Sequence, residues 1–132
     1  IIMFSIRIKQ RILHFKRPAG TSRGVLHDKP VWYIVLEEGD KKGIGECNPL
    51  VGLSLDDRPD FEDILQNFVR LFAQNQHIDL RLLEEYPAMK FGFEMALHDF
   101  NTPGRCMFFP SEFTRGNAVI PINGLVWMGK SD

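Results

Sequence analysis

The chain has 132 residues, with 16 Lys and Arg against 17 Asp and Glu and 44% hydrophobic residues, the composition of one soluble globular domain. Its 11 glycines, 8 prolines and 2 cysteines exclude collagen-like, disordered and disulfide-scaffold classes. The net charge of −1 argues against a dedicated nucleic-acid binder. That balance hides an asymmetry: residues 1–30 hold seven basic residues against one acid, a net of +6, and the remainder holds nine against sixteen, a net of −7.

Phe4, Ile6, Ile8 and then Ile12 alternate with Ser5, Arg7, Lys9 and Arg11, which predicts a half-buried strand with the cations on its solvent face. From His14 to Pro30 the sequence is polar, basic and glycine-containing with no period, the mark of a long functional or disordered connection. Residues 31–38 read as a strong strand, 39–43 as a turn, and 44–47 as the hairpin partner. The first three elements therefore predict a three-stranded antiparallel meander.

A second connection, 48–57, is oddly apolar, with Leu50, Val51, Leu53 and Leu55. Asp57 is the expected helix cap, with Pro59 in the first turn and Asp60 and Glu62 at the positive helix end. Phe61, Ile64, Leu65, Phe68 and Phe72 then form the apolar stripe of a helix over about 60–75. Asp79 is placed to cap a short helix carrying Leu80, Leu83 and Tyr86. Pro87 opens a third helix, with Met89, Gly92, Phe93, Ala96, Leu97 and Phe100 on one face, where Gly92 and Ala96 permit close approach to a neighbour.

The segment 118–129 is almost continuously apolar, the pattern of a strand buried on both faces of a parallel sheet. Such a strand needs flanking strands and covering helices, so the chain reads as the first part of a larger α/β protein, and Ile1 in place of Met points to a trimmed start. Without its barrel this segment is expected to associate with another chain or fold back. No apolar run is long enough to span a bilayer, and the first residues lack the basic region and cleavage site of a signal peptide. Cys47 and Cys106 are expected as free thiols in a cytoplasmic protein.

The phosphate-loop, dinucleotide and zinc signatures are absent. Glu94 and His98, one helical turn apart, read as a surface pair, and Asp56-Asp57 as helix capping rather than half of an acidic metal motif. His14, His27 and His77 have no catalytic partners legible in the sequence. The informative stretch is 14–26, whose cations, hydroxyls and glycines suit a mobile flap over a carboxylate-bearing ligand as well as they suit a basic linker.

Four stretches carry a resemblance. They are Arg17-Pro18-Ala19-Gly20-Thr21-Ser22-Arg23-Gly24; Gly43-Ile44-Gly45-Glu46-Cys47-Asn48-Pro49-Leu50-Val51-Gly52-Leu53-Ser54; Phe91-Gly92-Phe93-Glu94-Met95-Ala96-Leu97-His98-Asp99; and Ile120-Pro121-Ile122-Asn123-Gly124-Leu125-Val126-Trp127-Met128-Gly129. In that order they resemble the amino-terminal capping domain of the enolase superfamily. Within it they are most similar to the o-succinylbenzoate synthase family of menaquinone biosynthesis.

The resemblance implies an α+β fold: a three-stranded meander followed by a helical bundle over 1–117, and the first strand of a truncated TIM-like barrel over 118–132. It implies a Mg²⁺-dependent dehydration in the whole enzyme, with a barrel lysine as base and the metal stabilising an enediolate. No catalytic residue and no metal ligand is assigned to this chain, which is expected to be inactive alone. Its part would be two loops, about 14–29 and 48–56, closing over a small dicarboxylate. Arg17, Thr21, Ser22 and Arg23 would be the polar flap residues, with Leu50, Val51 and Leu53 the apolar lid. Muconate cycloisomerase, dipeptide epimerase and N-acylamino acid racemase relatives share this chemistry. A stand-alone anion-binding module is the rival outside the enzymes. Nucleic acid is the weaker anion, because serine and glutamine rather than aromatics flank Arg7, Lys9 and Arg11.

Overall fold

The computed structural model describes residues 3–102, 108–124 and 126. Three antiparallel strands, β1 (Ser5–Thr21), β2 (Gly24–Glu38) and β3 (Lys41–Cys47), form one sheet in the order β1-β2-β3. Helix α1 (Phe61–Asn75), a 3₁₀ turn (Leu80–Leu83) and helix α2 (Pro87–Asn101) follow. This is the meander-then-helices fold expected of a capping domain. Among the described residues no helix is long and apolar enough to cross a membrane.

Alternation in β2 sets the core. Trp32, Ile34 and Leu36 point to one face and are buried against Phe61, Leu65, Val69 and Phe72 of α1 and Met89, Phe93, Ala96 and Phe100 of α2. The phenylalanines pack as pairs, Phe72 on Phe93 with ring centroids 6.4 Å apart and Phe4 edge-on to Phe100 at 5.0 Å. The opposite face carries Arg7, Lys9 and Arg11 in the open, as their period of two predicts.

Helix α2 lies on β3 with almost no side chain between them. A Cβ at Gly45 would fall onto the Gly92 carbonyl oxygen and within 2.6 Å of the Ala96 nitrogen, and one at Gly43 within 2.6 Å of the Phe100 nitrogen. A Cβ at Gly92 would strike the Cys47 sulfur. The buried Asp99 carboxylate then accepts the outward-facing amide of Ile44 at 2.8 Å. Helix α2 thus covers the sheet edge that β3 would otherwise expose for pairing.

Three expectations need correction. The stretch 14–29 is not an unpaired loop: β1 and β2 continue as a hairpin arm, His14 opposite Asp28 and Thr21 opposite Gly24, with an irregularity between His14 and Ala19. Nearly every residue of this arm is exposed, so neither face imposes an apolar alternation and the sequence shows no period. Pro18, which cannot donate to a ladder, sits in the irregular segment.

The cap of α1 is Asp60, not Asp57, and its side chain makes no cap bond because it is forked onto Arg58 (2.9 and 3.1 Å). Pro59 consequently precedes the helix. In the described part of the apolar segment, 118–124 and 126, Val119, Ile120, Ile122 and Val126 are exposed and pair with no strand of this sheet. Finally, Tyr33 lies directly opposite Lys9, so an aromatic does stand among the basic residues of the outer sheet face. Asp79 does cap the 3₁₀ turn, accepting from the Arg81 amide at 3.0 Å. Cys47 is a buried free thiol, while Cys106 lies outside the described residues.

Gly45→Ala is expected to lower unfolding stability by about 3 kcal/mol, since backbone rather than a flexible side chain meets the added methyl. Gly20→Ala, where nothing stands within 4 Å, should change it by less than about 0.5 kcal/mol. Urea denaturation of both variants checks the difference.

Candidate functional site

The hairpin arm and the loop after β3 meet. The Arg23 guanidinium donates to the Gly52 carbonyl at 2.8 Å, between Val51 and Leu53, and the Lys29 ammonium reaches the Pro49 carbonyl at 3.4 Å. Partial burial lowers the Lys29 pKa below its ordinary value, against the opposing charge of Glu46. Two basic residues of the arm therefore hold carbonyls of the second segment.

Local chemistry shapes each half. At the arm tip the Thr21 hydroxyl accepts the Arg23 amide (3.2 Å) and donates to the Gly24 carbonyl (2.8 Å), while Gly24 takes a φ of +132°. In the loop, the Leu53 and Ser54 amides both donate to the Leu50 carbonyl, at 3.0 and 2.9 Å. The Ser54 hydroxyl accepts the Leu50 amide at 2.8 Å, and the Asp57 carboxylate accepts the Gly52 amide at 2.7 Å. Gly52 has a φ of +74° and is bonded through both its amide and its carbonyl. The second segment is a hydrogen-bonded loop rather than a slack connection.

The expected site residues divide accordingly. Arg23, Val51 and Leu53 come together around Gly52, and Leu50 is half-buried at the loop base. Thr21 is committed to the turn. Ser22 at the tip and Arg17 in the irregular segment of β1 are exposed, which leaves Arg17 open to an anion. Val51 and Leu53 are 58% and 56% exposed, an apolar surface with nothing described above it. Three residues escaped sequence reasoning: Lys29, Asp56 and Asp57. The acidic doublet was visible, but its neighbour in space, the start of α2, was not.

A second cationic surface lies on the outer sheet face, where Arg7, Lys9, Arg11 and Lys42 surround Tyr33, Val35 and Ile44. Glu37 sits between Lys42 (2.8 Å) and Arg7 (3.3 Å), and their hydrogen bonds, Lys42's the larger, hold its carboxyl below the usual range. Burial, and then Glu46, raise the Tyr33 hydroxyl pKa. His14 pairs across the arm with Asp28 at 2.5 Å, and the His98 ring packs against Phe109, centroids 5.7 Å apart. Among the described residues no three His, Cys, Asp or Glu side chains are grouped to hold a metal ion.

Residues 20–100 match the family model described as MenC, N-terminal domain. The chain is 37% identical over 150 residues to the o-succinylbenzoate synthase of Desulfotalea psychrophila, across 90% of this chain and 41% of that protein. It therefore spans about two fifths of the length of that curated relative. The crystal structure of MenC from Desulfotalea psychrophila matches with a TM-score of 0.68 and 28% identity, over 97% of this chain and 43% of that one. An o-succinylbenzoate synthase from Thermosynechococcus elongatus, solved with Mg in its active site, matches with a TM-score of 0.53 and 25% identity, over 79% and 31%. A dipeptide epimerase from Methylococcus capsulatus, at 17% identity and a TM-score of 0.57 over 75% and 31%, shares the fold alone.

If Arg23 ties the two segments, Arg23→Ala should loosen both. Backbone NMR order parameters at Gly24 and at Gly52 are then expected to fall together, from about 0.85 toward 0.6. A loop that stays rigid while the tip loosens contradicts the coupling.

Proposed function

This chain belongs to the MenC amino-terminal domain family, and from that premise we propose that it is the substrate-covering part of an o-succinylbenzoate synthase-like carbon–oxygen lyase. The observation that carries the proposal is the bond from Arg23 to the Gly52 carbonyl, which brings the basic arm and the apolar loop to one place. A lid over a small dicarboxylate needs both: cations to meet the carboxylates and apolar surface to exclude water.

In this role Arg17, exposed and charged, meets a substrate carboxylate, and Ser22 offers a hydroxyl at the arm tip. Arg23 acts chiefly by holding the loop, with Thr21 fixing the turn that presents it. Val51 and Leu53 close over the apolar part of the substrate, and Leu50 seats the loop. The +6 charge of residues 1–30 raises the local concentration of a dianion.

The chemistry of such an enzyme calls on Mg²⁺, which when bound stabilises the charge that develops as a proton leaves the carbon next to a carboxylate. The described residues do not fit a magnesium site, since they include no grouped acidic ligands. No step is therefore assigned to the metal through the described residues, and none of them is proposed as a base or acid. Residues 118–132 are proposed to enter a barrel as its first strand. A cytoplasmic setting and a place in menaquinone synthesis belong to the same proposal.

The exposed apolar Val119, Ile120, Ile122 and Val126 favour self-association when no barrel covers them. Sedimentation that finds a monomer at every concentration contradicts that part. A stand-alone anion-binding module acting through the outer sheet face is the second reading, favoured by Tyr33 opposite Lys9 and disfavoured by Glu37 on two of the four cations. A salt-dependent band shift with RNA or DNA would select it.

The test is a chimera carrying this chain in place of the matching part of the Desulfotalea enzyme. Arg17→Ala is expected to raise KM for the dicarboxylate substrate about tenfold, the effect of one charge-assisted hydrogen bond, with a smaller change in kcat. An unchanged KM overturns the role of Arg17. This chain alone is expected to show no turnover, and dehydration by the purified chain would refute the lid assignment.

A further inference from the structure

We infer that Asp56 is the residue that positions the loop 48–57, fixing it to the first turn of α2 so that Val51 and Leu53 face one way; the inference rests on reading that loop as a lid. Asp56 is fully buried, with 0% exposure, although it follows the 74%-exposed Leu55. One carboxylate oxygen accepts the amides of Ala88 (2.9 Å) and Met89 (3.2 Å). These are among the amides a helix start leaves unpaired, and the residue at the cap position, Tyr86, supplies no side-chain bond of its own. Helix α2 thus takes its cap from the lid segment, thirty-two residues upstream of Ala88.

The other end of the loop is pinned to the same helix. Cys47, at the end of β3, is buried with its sulfur against Gly92, only three residues beyond Met89. Both ends of residues 48–55 are therefore held on one face of α2 about one helical turn apart, the arrangement of a compact loop whose ends are close. Between these anchors the loop is bonded through Leu50, Gly52 and Ser54, and Val51, Leu53 and Leu55 are left outward.

The local chemistry is costly as a mere cap. The second oxygen of Asp56 is buried with no hydrogen-bond partner among the described residues. A carboxylate desolvated in this way is held in place by the two amides and the positive end of α2. Removing it would cost the helix a cap and would leave the loop held to α2 at the Cys47 end alone. Asp57 cannot substitute for it, because its carboxylate already serves the Gly52 amide.

Amide hydrogen exchange of the 132-residue chain, with no ligand present, tests this directly. Asp56→Ala is expected to accelerate exchange of the Gly52, Leu53 and Ser54 amides about tenfold, while Ile34 and Leu36 in β2 change less than about twofold. Asp56→Asn keeps the shape and one carbonyl acceptor, and is expected to give the same pattern at about threefold; it serves as the reading should the alanine variant not fold. Unchanged loop exchange in the folded variant overturns the inference. So does an equal acceleration of loop and core, the signature of a residue that supports only global stability. Because no ligand is used, either result stands apart from the KM test of the lid assignment.

Discussion

The close approach of α2 to β3 is the constraint on which the rest of this structure depends. Three glycines make it possible, Gly43 and Gly45 on the strand and Gly92 on the helix, and at each an added methyl group meets backbone or the Cys47 sulfur. With the helix seated this deeply, Asp99 reaches the strand edge and Phe93, Ala96 and Phe100 reach the core. Asp56 then finds the first turn of α2 within hydrogen-bond distance. Widening the seam would therefore disturb the sheet edge, the core and the loop together.

The proposed lid grows out of that platform as two differently built segments. The loop 48–57 is short, anchored and internally bonded, whereas the arm is an exposed two-stranded ribbon joined to that loop near its tip by Arg23 and at its base by Lys29. The proposed lid uses both, an anchored apolar edge that defines the shape of the site and a charged arm that meets the anion. The cost is a ribbon with little burial to stabilise it. Its exposed Ile12, Leu13, Phe15 and Val25 are apolar surface that the described residues do not cover.

Much of this was legible in the sequence, and the rest failed for identifiable physical reasons. Helix α2 was readable because Pro87 marks its start and Gly92 and Ala96 mark its buried stripe. Asp79 was recognisable as a cap because it acts two residues along the chain, on Arg81. The arm was not legible, because a ribbon wet on both faces carries no period. Asp57 was misread for a different reason: Arg58 claims Asp60 and Gly52 claims Asp57, a rearrangement decided by contacts the sequence does not display. Tyr33 beside Lys9 and Asp56 beside Ala88 were hidden for the same reason, since register and helix docking place them. The candidate flap residues were named from the sequence as a group, and only the structure separates Arg23, which holds the loop, from Arg17, which is left exposed.

Two cationic surfaces are candidates for an anion, the arm with its loop and the outer face of the sheet, and the proposed lid requires the first. Titration of the isotope-labelled chain with millimolar o-succinylbenzoate, followed by amide chemical shifts, distinguishes them most directly. A lid role gives joint shifts at Arg17, Ser22, Val51 and Leu53, with Lys9, Arg11 and Tyr33 unmoved. Shifts confined to Lys9, Arg11, Tyr33 and Lys42 would contradict it.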